Sequence, residues 1–200
     1  VYAGDSAYVA HNTIDIGIGT GTSTSTQYGM YIYNTTNSYQ VRNNNISFTA
    51  GNTGTKYGIY CSNTLFASNP SLQNNNVFMN SSRTGTQYRI YHSVAYATLA
   101  AFQAAYPALE VNGMEADPMY LNVATSDFTP TNPLVLMKGE DLTSIIPEDI
   151  NGNTRPVPPT PGAFDLSPEF WNNAGVVQLN APSGNFCSGY RDIQAQIRNY

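Results

Sequence analysis

Three segments of this chain repeat one pattern. Tyr28-Gly29-Met30-Tyr31-Ile32, Tyr57-Gly58-Ile59-Tyr60-Cys61 and Tyr88-Arg89-Ile90-Tyr91-His92 lie at offsets of 29 and 31 residues. A second column is interleaved with them. Val9-Ala10-His11-Asn12-Thr13-Ile14, Val41-Arg42-Asn43-Asn44-Asn45-Ile46 and Leu72-Gln73-Asn74-Asn75-Asn76-Val77 lie at offsets of 32 and 31. Two columns sharing one drifting period indicate stacked structural repeats. Such a unit cannot bury its apolar face alone; stacking extends one core and pairs each strand with its copy ~4.8 Å away. In the first column, Met30/Ile32, Ile59/Cys61 and Ile90/His92 face one way, and Tyr31, Tyr60 and Tyr91 the other. In the second, Ile14/Ile16, Ile46/Phe48 and Val77/Met79 face inward and Asp15, Ser47 and Phe78 outward. Polar, Gly-rich loops separate them at Gly17–Gln27, Gly51–Lys56 and Asn80–Gln87. The predicted fold class is all-β, a solenoid with coils of about 30 residues.

Beyond the repeats the text changes. Tyr96–Tyr106 is Ala-rich, with Leu99, Phe102 and Tyr106 at helical spacing. Thr98 suits an N-cap and Pro107 a stop, so one short helix is predicted near 98–106. The tract from Asp117 on is punctuated by proline and reads as short strands and turns, with Pro156–Pro161 as an extended edge. Val176-Val177-Gln178-Leu179 and Ile193–Ile197 read as two strands about a Pro-Ser-Gly loop, the way a β-sandwich begins. Three parts follow: residues 1–166, a junction at 167–173 containing Pro168 and Trp171, and residues 174–200. The junction is the expected first hinge.

Composition narrows the function. Charged residues are 10% of the chain, so its surface hydrogen-bonds mainly through Asn, Thr, Ser and Tyr, as in many secreted bacterial proteins. A net charge of −5 argues against nucleic acid, whose backbone needs clustered cations. No run of 18 apolar residues exists to cross a membrane. The start at Val1 is read as that of a mature product or a piece of a longer chain. Cys61 and Cys187 are the only cysteines. Cys61 shares a column with Ile32 and His92 and is expected to be a buried free thiol out of reach of Cys187.

The repeat resembles a right-handed parallel β-helix. Asn12, Asn44 and Asn75 resemble the internal asparagine ladder that such helices place at a tight bend. Leu99-Ala100-Ala101-Phe102-Gln103, Asp117-Pro118-Met119-Tyr120, Ser126-Asp127-Phe128, Asp149-Ile150-Asn151-Gly152-Asn153-Thr154-Arg155-Pro156 and Pro161-Gly162-Ala163-Phe164 follow in that order. The order is similar to the C-terminal end of secreted β-helix proteins of Bacteroidota, where a short helix and a "DxDGxxR…GA" coil close the solenoid. Here Asn151 stands where Asp is commoner, and the usual "SPAID" stretch is degenerate at Asn132–Leu136. Asn173–Val177 and Phe186–Gly189 resemble the start of an immunoglobulin-like module. Together these resemblances imply a slice of a large type IX-secreted surface protein or adhesin. Surface glycans or other cell-surface and secretion proteins are the implied partners, outside the cell.

The candidate chemistry is sparse. A lyase needs a base and a cation clamp, but Lys56 reads as a loop residue and Arg42 and Arg89 stand alone in their columns. A glycosidase needs two carboxylates about 5–10 Å apart; Asp5 and Asp15 are the only ones in the repeats, and nothing places them together. His11 and His92 lack a second ligand at metal spacing and read as structural. Asp149, Asn151 and Asn153 alternate as oxygen donors around Gly152. They fit either the first half of a Ca²⁺ loop, without its closing acid, or a turn in which Asp149 pairs with Arg155. Tyr31, Tyr60 and Tyr91 form an outward stripe, either a covered stack or a platform for sugar rings or a partner protein. Gly17–Gly21 lacks the context of a phosphate loop, and Asp5-Ser6-Ala7 resembles the short O-glycosylation motif of Bacteroidota. No catalytic residue and no cofactor are assigned. The expected role is a non-catalytic structural or adhesive spacer. The alternatives are a polysaccharide lyase or glycosidase with its catalytic coils upstream, and a carbohydrate-binding module.

Overall fold

The computed structural model describes residues 6–17, 24–33, 38–49, 53–62, 72–82 and 84–166, and two strands farther on. The chain divides into two compact units, Val1–Asp165 and Leu166–Tyr200. Among its described residues the first is mostly β, with one short α-helix and three sheets of parallel strands. β1 (Ser6–Ala10), β4 (Ser38–Arg42) and β7 (Leu72–Gln73) form one sheet. β2 (Thr13–Asp15), β5 (Asn45–Phe48) and β8 (Asn76–Met79) form the second. β3 (Gln27–Ile32), β6 (Lys56–Cys61) and β9 (Gln87–His92) form the third. Every pairing among these nine strands is parallel, and each sheet takes one strand from each repeat in turn.

The second sequence column is thus two sheets. The bend dividing them falls at His11, Asn43 and Asn74, whose φ angles are 55°, 54° and 55°. This left-handed region suits asparagine better than most residues, because its short amide bonds locally. Strands therefore end there in every repeat.

The registers follow the apolar pattern. Met30 pairs with Ile59 and Ile59 with Ile90; Ile14 pairs with Ile46 and Ile46 with Val77. Met30, Ile32, Ile46, Phe48, Ile59, Cys61, Val77, Met79 and Ile90 are buried, with Ile14 and Ile16 packed partly against them. Cys61 is a buried free thiol, while Cys187 lies outside the described residues. Ser47, expected to face solvent, is buried: Tyr120 covers it, with its hydroxyl 3.0 Å from Ser47 Oγ. Lys56, expected in a loop, opens β6 and is fully buried, its Nζ donating to the carbonyls of Gly54 (3.1 Å) and Thr84 (2.9 Å).

The glycines of the Tyr-Gly pairs are fixed by space. A Cβ on Gly29 would stand 2.4 Å from Ile46 Cγ2, and one on Gly58 would stand 2.1 Å from Val77 Cγ1 and 2.6 Å from the Arg89 carbonyl oxygen. At these points the third sheet packs directly on side chains of the second. Arg89 occupies the position in the last repeat, and its Nε lies 3.3 Å from Glu115 Oε1.

The last repeat is closed by other elements. β10 (Val94–Tyr96) folds back antiparallel on β9. The helix α1 (Leu99–Ala105) follows, with Thr98 accepting from Ala101 N at 3.2 Å as N-cap and Tyr106 as C-cap. Phe102 is fully buried, and His92 packs edge-on against Tyr106 at 4.6 Å. Residues 109–116 then lie along the ends of the first two sheets: Glu110 N donates to Leu72 O (2.7 Å), Met114 N to Asn75 O (2.9 Å) and Val77 N to Met114 O (2.8 Å). β11 (Tyr120–Asn122) and β12 (Asp127–Pro130) form a short antiparallel pair. The tract from Pro156 to Pro161 is not a strand; it runs irregularly, with Pro159 O accepting from Gly139 N at 2.8 Å. The second unit has two described strands, β13 (Ala174–Ala181) and β14 (Gln194–Asn199), paired antiparallel with register shifts. The junction with Pro168 and Trp171 lies outside the described residues.

Gly58→Ala should destabilise the first unit by about 2–3 kcal/mol, because the added methyl meets a backbone carbonyl and a packed valine. Gly152→Ala, with nothing within 4 Å of its added Cβ, pays only for its positive φ and should cost about 1 kcal/mol. Urea unfolding of the two variants compares them.

Candidate functional site

Two arrays run from repeat to repeat. The first is the asparagine ladder. Asn12 N and Nδ2 donate to Asn44 Oδ1 at 3.1 and 2.8 Å, and Asn44 N and Nδ2 donate to Asn75 Oδ1 at 2.9 and 2.8 Å. Each Nδ2 also donates to a carbonyl of the first sheet: Asn12 to Ala10 of its own rung, Asn44 to Val9 and Asn75 to Val41 of the rung before. Asn44 and Asn75 are buried as expected, but Asn12 is exposed, since it belongs to the first described rung.

The sequence reading missed the ladder's end. Asn75 N and Nδ2 donate to Glu110 Oε2 and Oε1 at 3.1 and 2.5 Å. Glu110 is fully buried, and burial lifts its carboxyl to about 8 against the pull of the Asn75 donors. Glu110 follows a helix rather than an asparagine-rich repeat, so its place was not visible as periodicity.

Beside the ladder, the bend residues anchor the closing segment. Asn43 Nδ2 donates to Glu140 O (2.7 Å) and its Oδ1 accepts from Glu140 N (2.8 Å). Asn74 Nδ2 donates to Lys138 O (2.9 Å), and Gly162 N donates to Asn43 O (2.7 Å). His11 lies with Nε2 3.0 Å from Asn43 Nδ2 and Nδ1 3.1 Å from Gly162 O. Desolvation first, and the nearby Arg155 charge second, hold its ring down at about 4. One link in a third column is broken. Asn76 Nδ2 donates to Asn45 Oδ1 at 2.9 Å, but Thr13 replaces the next asparagine and its hydroxyl accepts from Ala163 N. Asn45 Nδ2 is buried with no partner.

The second array is tyrosine. Tyr31 stacks on Tyr60 at 4.9 Å and 8°, and Tyr60 on Tyr91 at 4.2 Å and 4°. Tyr28, Tyr57 and Tyr88 form a parallel column with spacings of 5.6 and 5.3 Å. The columns meet edge to face, as for Tyr57 and Tyr60 at 5.1 Å and 84°. The ring faces of the middle rung are therefore spent on other tyrosines, and what remains for a ligand is ring edges and hydroxyls. Tyr28, Tyr31 and Tyr33 are 38–45% exposed. Burial, then the neighbouring Tyr91, pushes the Tyr60 phenol up to about 12.

The charged candidates have internal partners. Asp15 accepts from Ser47 Oγ (2.6 Å) and Thr49 Oγ1 (2.9 Å), and Asp5 lies outside the described residues. Arg42 and Arg89 do not stand alone: Arg42 pairs with Glu140 at 2.5 Å and Arg89 with Glu115. Asp149 Oδ1 accepts from Asn151 N and Asn153 N, both at 2.9 Å, which is an amide-organised turn. Arg155 pairs with Asp165 rather than Asp149. Among the described residues no group of three acidic, His or Cys side chains could hold a metal ion.

Comparison with protein-family models, curated proteins and solved structures finds no match for this chain.

Two predictions follow from the ladder. Asn75→Ala should cost about 1–3 kcal/mol, because it strands the amide of Asn44, the Val41 carbonyl and the Glu110 carboxyl together. Asn12→Ala, at the exposed end, should cost less; thermal unfolding compares them. Stability should also depend on pH in two opposed ways. From about 4 to 6.5 the unfolded chain binds a proton on His11 that the folded chain refuses, so stability rises with pH. From 4.5 to about 8 the folded chain keeps a proton on Glu110 that the unfolded chain releases, so stability falls with pH. Above pH 6.5 the second effect acts without the first. Glu110→Gln should flatten the decline between 6.5 and 8, and His11→Asn should extend that decline down to 4.5, across the range where the two effects otherwise cancel. Denaturation midpoints across pH 4–9 read both.

Proposed function

We propose that the first unit is a right-handed parallel β-helix with coils of about 30 residues, a non-catalytic structural or adhesive segment of a large secreted or cell-surface bacterial protein. Parallel pairing of corresponding strands at one period supports the helix. The single observation that carries the functional reading is the ladder closed by Glu110: the polar groups of the interior are spent on joining rung to rung. Asp15, Arg42 and Arg89, weighed for sugar chemistry, are tied to neighbours in the same way. A stack whose core continues from coil to coil resists bending more than a flexible linker does, which suits a spacer that displays further modules. We place it outside the cell, followed by an immunoglobulin-like module, on the resemblance described above.

A carbohydrate-binding module is the second reading, favoured by the half-exposed edge of Tyr28, Tyr31 and Tyr33. Glycan-array binding lost in Tyr31→Ala would establish it. For the first reading, the protein should release neither reducing ends nor unsaturated products from pectin, alginate, xylan or glycosaminoglycans. Turnover that disappears in Asp15→Asn or Arg89→Ala would make it an enzyme instead.

A further inference from the structure

Three amide side chains of the repeats each hold a stretch of peptide backbone by two bonds, accepting from an N–H and donating to a carbonyl. Asn43 holds Glu140 (2.8 and 2.7 Å) and Asn76 holds Ala116 (2.9 and 2.8 Å). Gln73 accepts from Val111 N (3.2 Å) and donates to Ala108 O (2.6 Å). Asn74 does only half of this. Its Nδ2 donates to Lys138 O at 2.9 Å, but among the described residues no group donates to its Oδ1. The residue is 7% exposed, so an acceptor left idle there is costly. Two cavities meet at it. One, of about 520 Å³, reaches the Arg42–Glu140 ion pair. The other, of about 450 Å³, runs to Lys138 past Met114, Leu134, Met137 and Pro158. Asn74, Asn112 and Gly139 line both, so the two are one groove between the segment after α1 and the closing segment. Asn112 and Lys138 are exposed, and among the described residues nothing bonds the amide of the one or the ammonium of the other.

We propose that this groove binds an extended peptide segment of a partner protein, with one apolar and one acidic side chain. A backbone N–H of the peptide donates to Asn74 Oδ1, completing the two-bond pattern that Asn43, Gln73 and Asn76 already show toward peptide backbone. A peptide carbonyl accepts from the Asn112 amide. The apolar side chain lies against Leu134, Met137 and Pro158, which give the groove its one dry wall. The acidic side chain meets Lys138 at the rim. A sugar is the poorer occupant, because among the described residues no aromatic ring lines the groove to cover the face of a pyranose. The proposal goes beyond the spacer reading and rests on the cap and closing segment, not on the ladder.

The probe is a capped hexapeptide, a leucine–aspartate pair flanked by serines, titrated into the intact chain and read by backbone amide NMR. Saturable shifts are expected at residues 112–114 and 137–140, with β5 and β8 unmoved. Methylating the peptide nitrogens one at a time should weaken binding roughly five- to tenfold at one position and little at the others, because only one N–H meets Asn74. That test leaves the protein unaltered. Asn112→Ala should weaken binding several-fold. Lys138→Glu should weaken the aspartate peptide and strengthen one with lysine in its place, each roughly two- to fivefold. Unchanged amide positions in β5 and β8 show that both variants remain folded. A peptide that causes no saturable shift, or that shifts β3, β6 and β9 instead, would overturn the proposal. So would indifference to methylation at every position. Displacement of the peptide by xylohexaose or oligogalacturonate, with shifts at the same amides, would give the groove to sugars. None of these outcomes touches the spacer reading, which is tested by turnover.

Discussion

An asparagine side chain has two donor hydrogens and an oxygen with two lone pairs, and Asn44 uses all four. Its amide donates to Val9 O and Asn75 Oδ1, and its oxygen accepts from Asn12 N and Nδ2. Full valence at a buried position explains why the residue type is so restricted. Aspartate would bring charge and no donors; leucine would leave strand-end backbone groups unpaired in a dry interior. The neighbouring bend residue needs a left-handed backbone, and there too asparagine serves best. The run Asn-Asn-Asn thus meets two demands at consecutive positions, one conformational and one of hydrogen bonding. The three parallel sheets depend on it, because it ends the first sheet and starts the second at the same place in the second and third rungs, as His11-Asn12-Thr13 does in the first.

Once the bend is fixed, the rest of each rung is a problem of covering faces. Inside, one apolar core runs the length of the repeats, and Gly29 and Gly58 let the third sheet approach the second. Outside, the sheets are treated differently. The closing segment lies along the bend and the second sheet, bonded to Asn43, Asn74, Ser47 and Thr13. The third sheet is left to tyrosines, which stack at close to the strand spacing and shield one another. Offset and edge-on aromatic pairs add stabilisation beyond the area they bury. Low charge therefore costs this fold little, since hydroxyls and amides meet the polar needs that salt bridges meet elsewhere.

The repeats were legible because their chemistry is periodic: the inward column through Met30, Ile59 and Ile90, the ladder through Asn44 and Asn75, and the outward tyrosines all stand where the offsets put them. The helix at Leu99–Ala105 was legible from its cap and its spacing. What periodicity could not carry was closure. Glu110, Glu115, Glu140 and Gly162 each meet a repeat residue 26 to 151 positions away. No local pattern marks such partners, so Arg42 and Arg89 looked solitary and Ser47 looked exposed. The division of one strand column into two sheets was legible only through the resemblance of its asparagines to a ladder at a bend. Alternation looks the same on either side of a bend, and only the positive φ at His11, Asn43 and Asn74 separates them.

Closure also shows where the design is under tension. A ladder of donors needs a terminator with two acceptor oxygens, which a carboxyl group supplies. Burial in an apolar end cap opposes its charge, and among the described residues no cation is placed against it. The same oxygens cannot be optimised for both. An ionised Glu110 satisfies Asn75 fully but pays for desolvation, whereas a protonated one relieves the burial cost and brings a hydrogen that the ladder has no use for. A glutamine would keep one good acceptor and remove the titration, at the expense of a donor pair needing its own partner. Glutamate at this point supplies two acceptor oxygens, and because burial holds its proton up to about 8, the end of the ladder becomes responsive to pH.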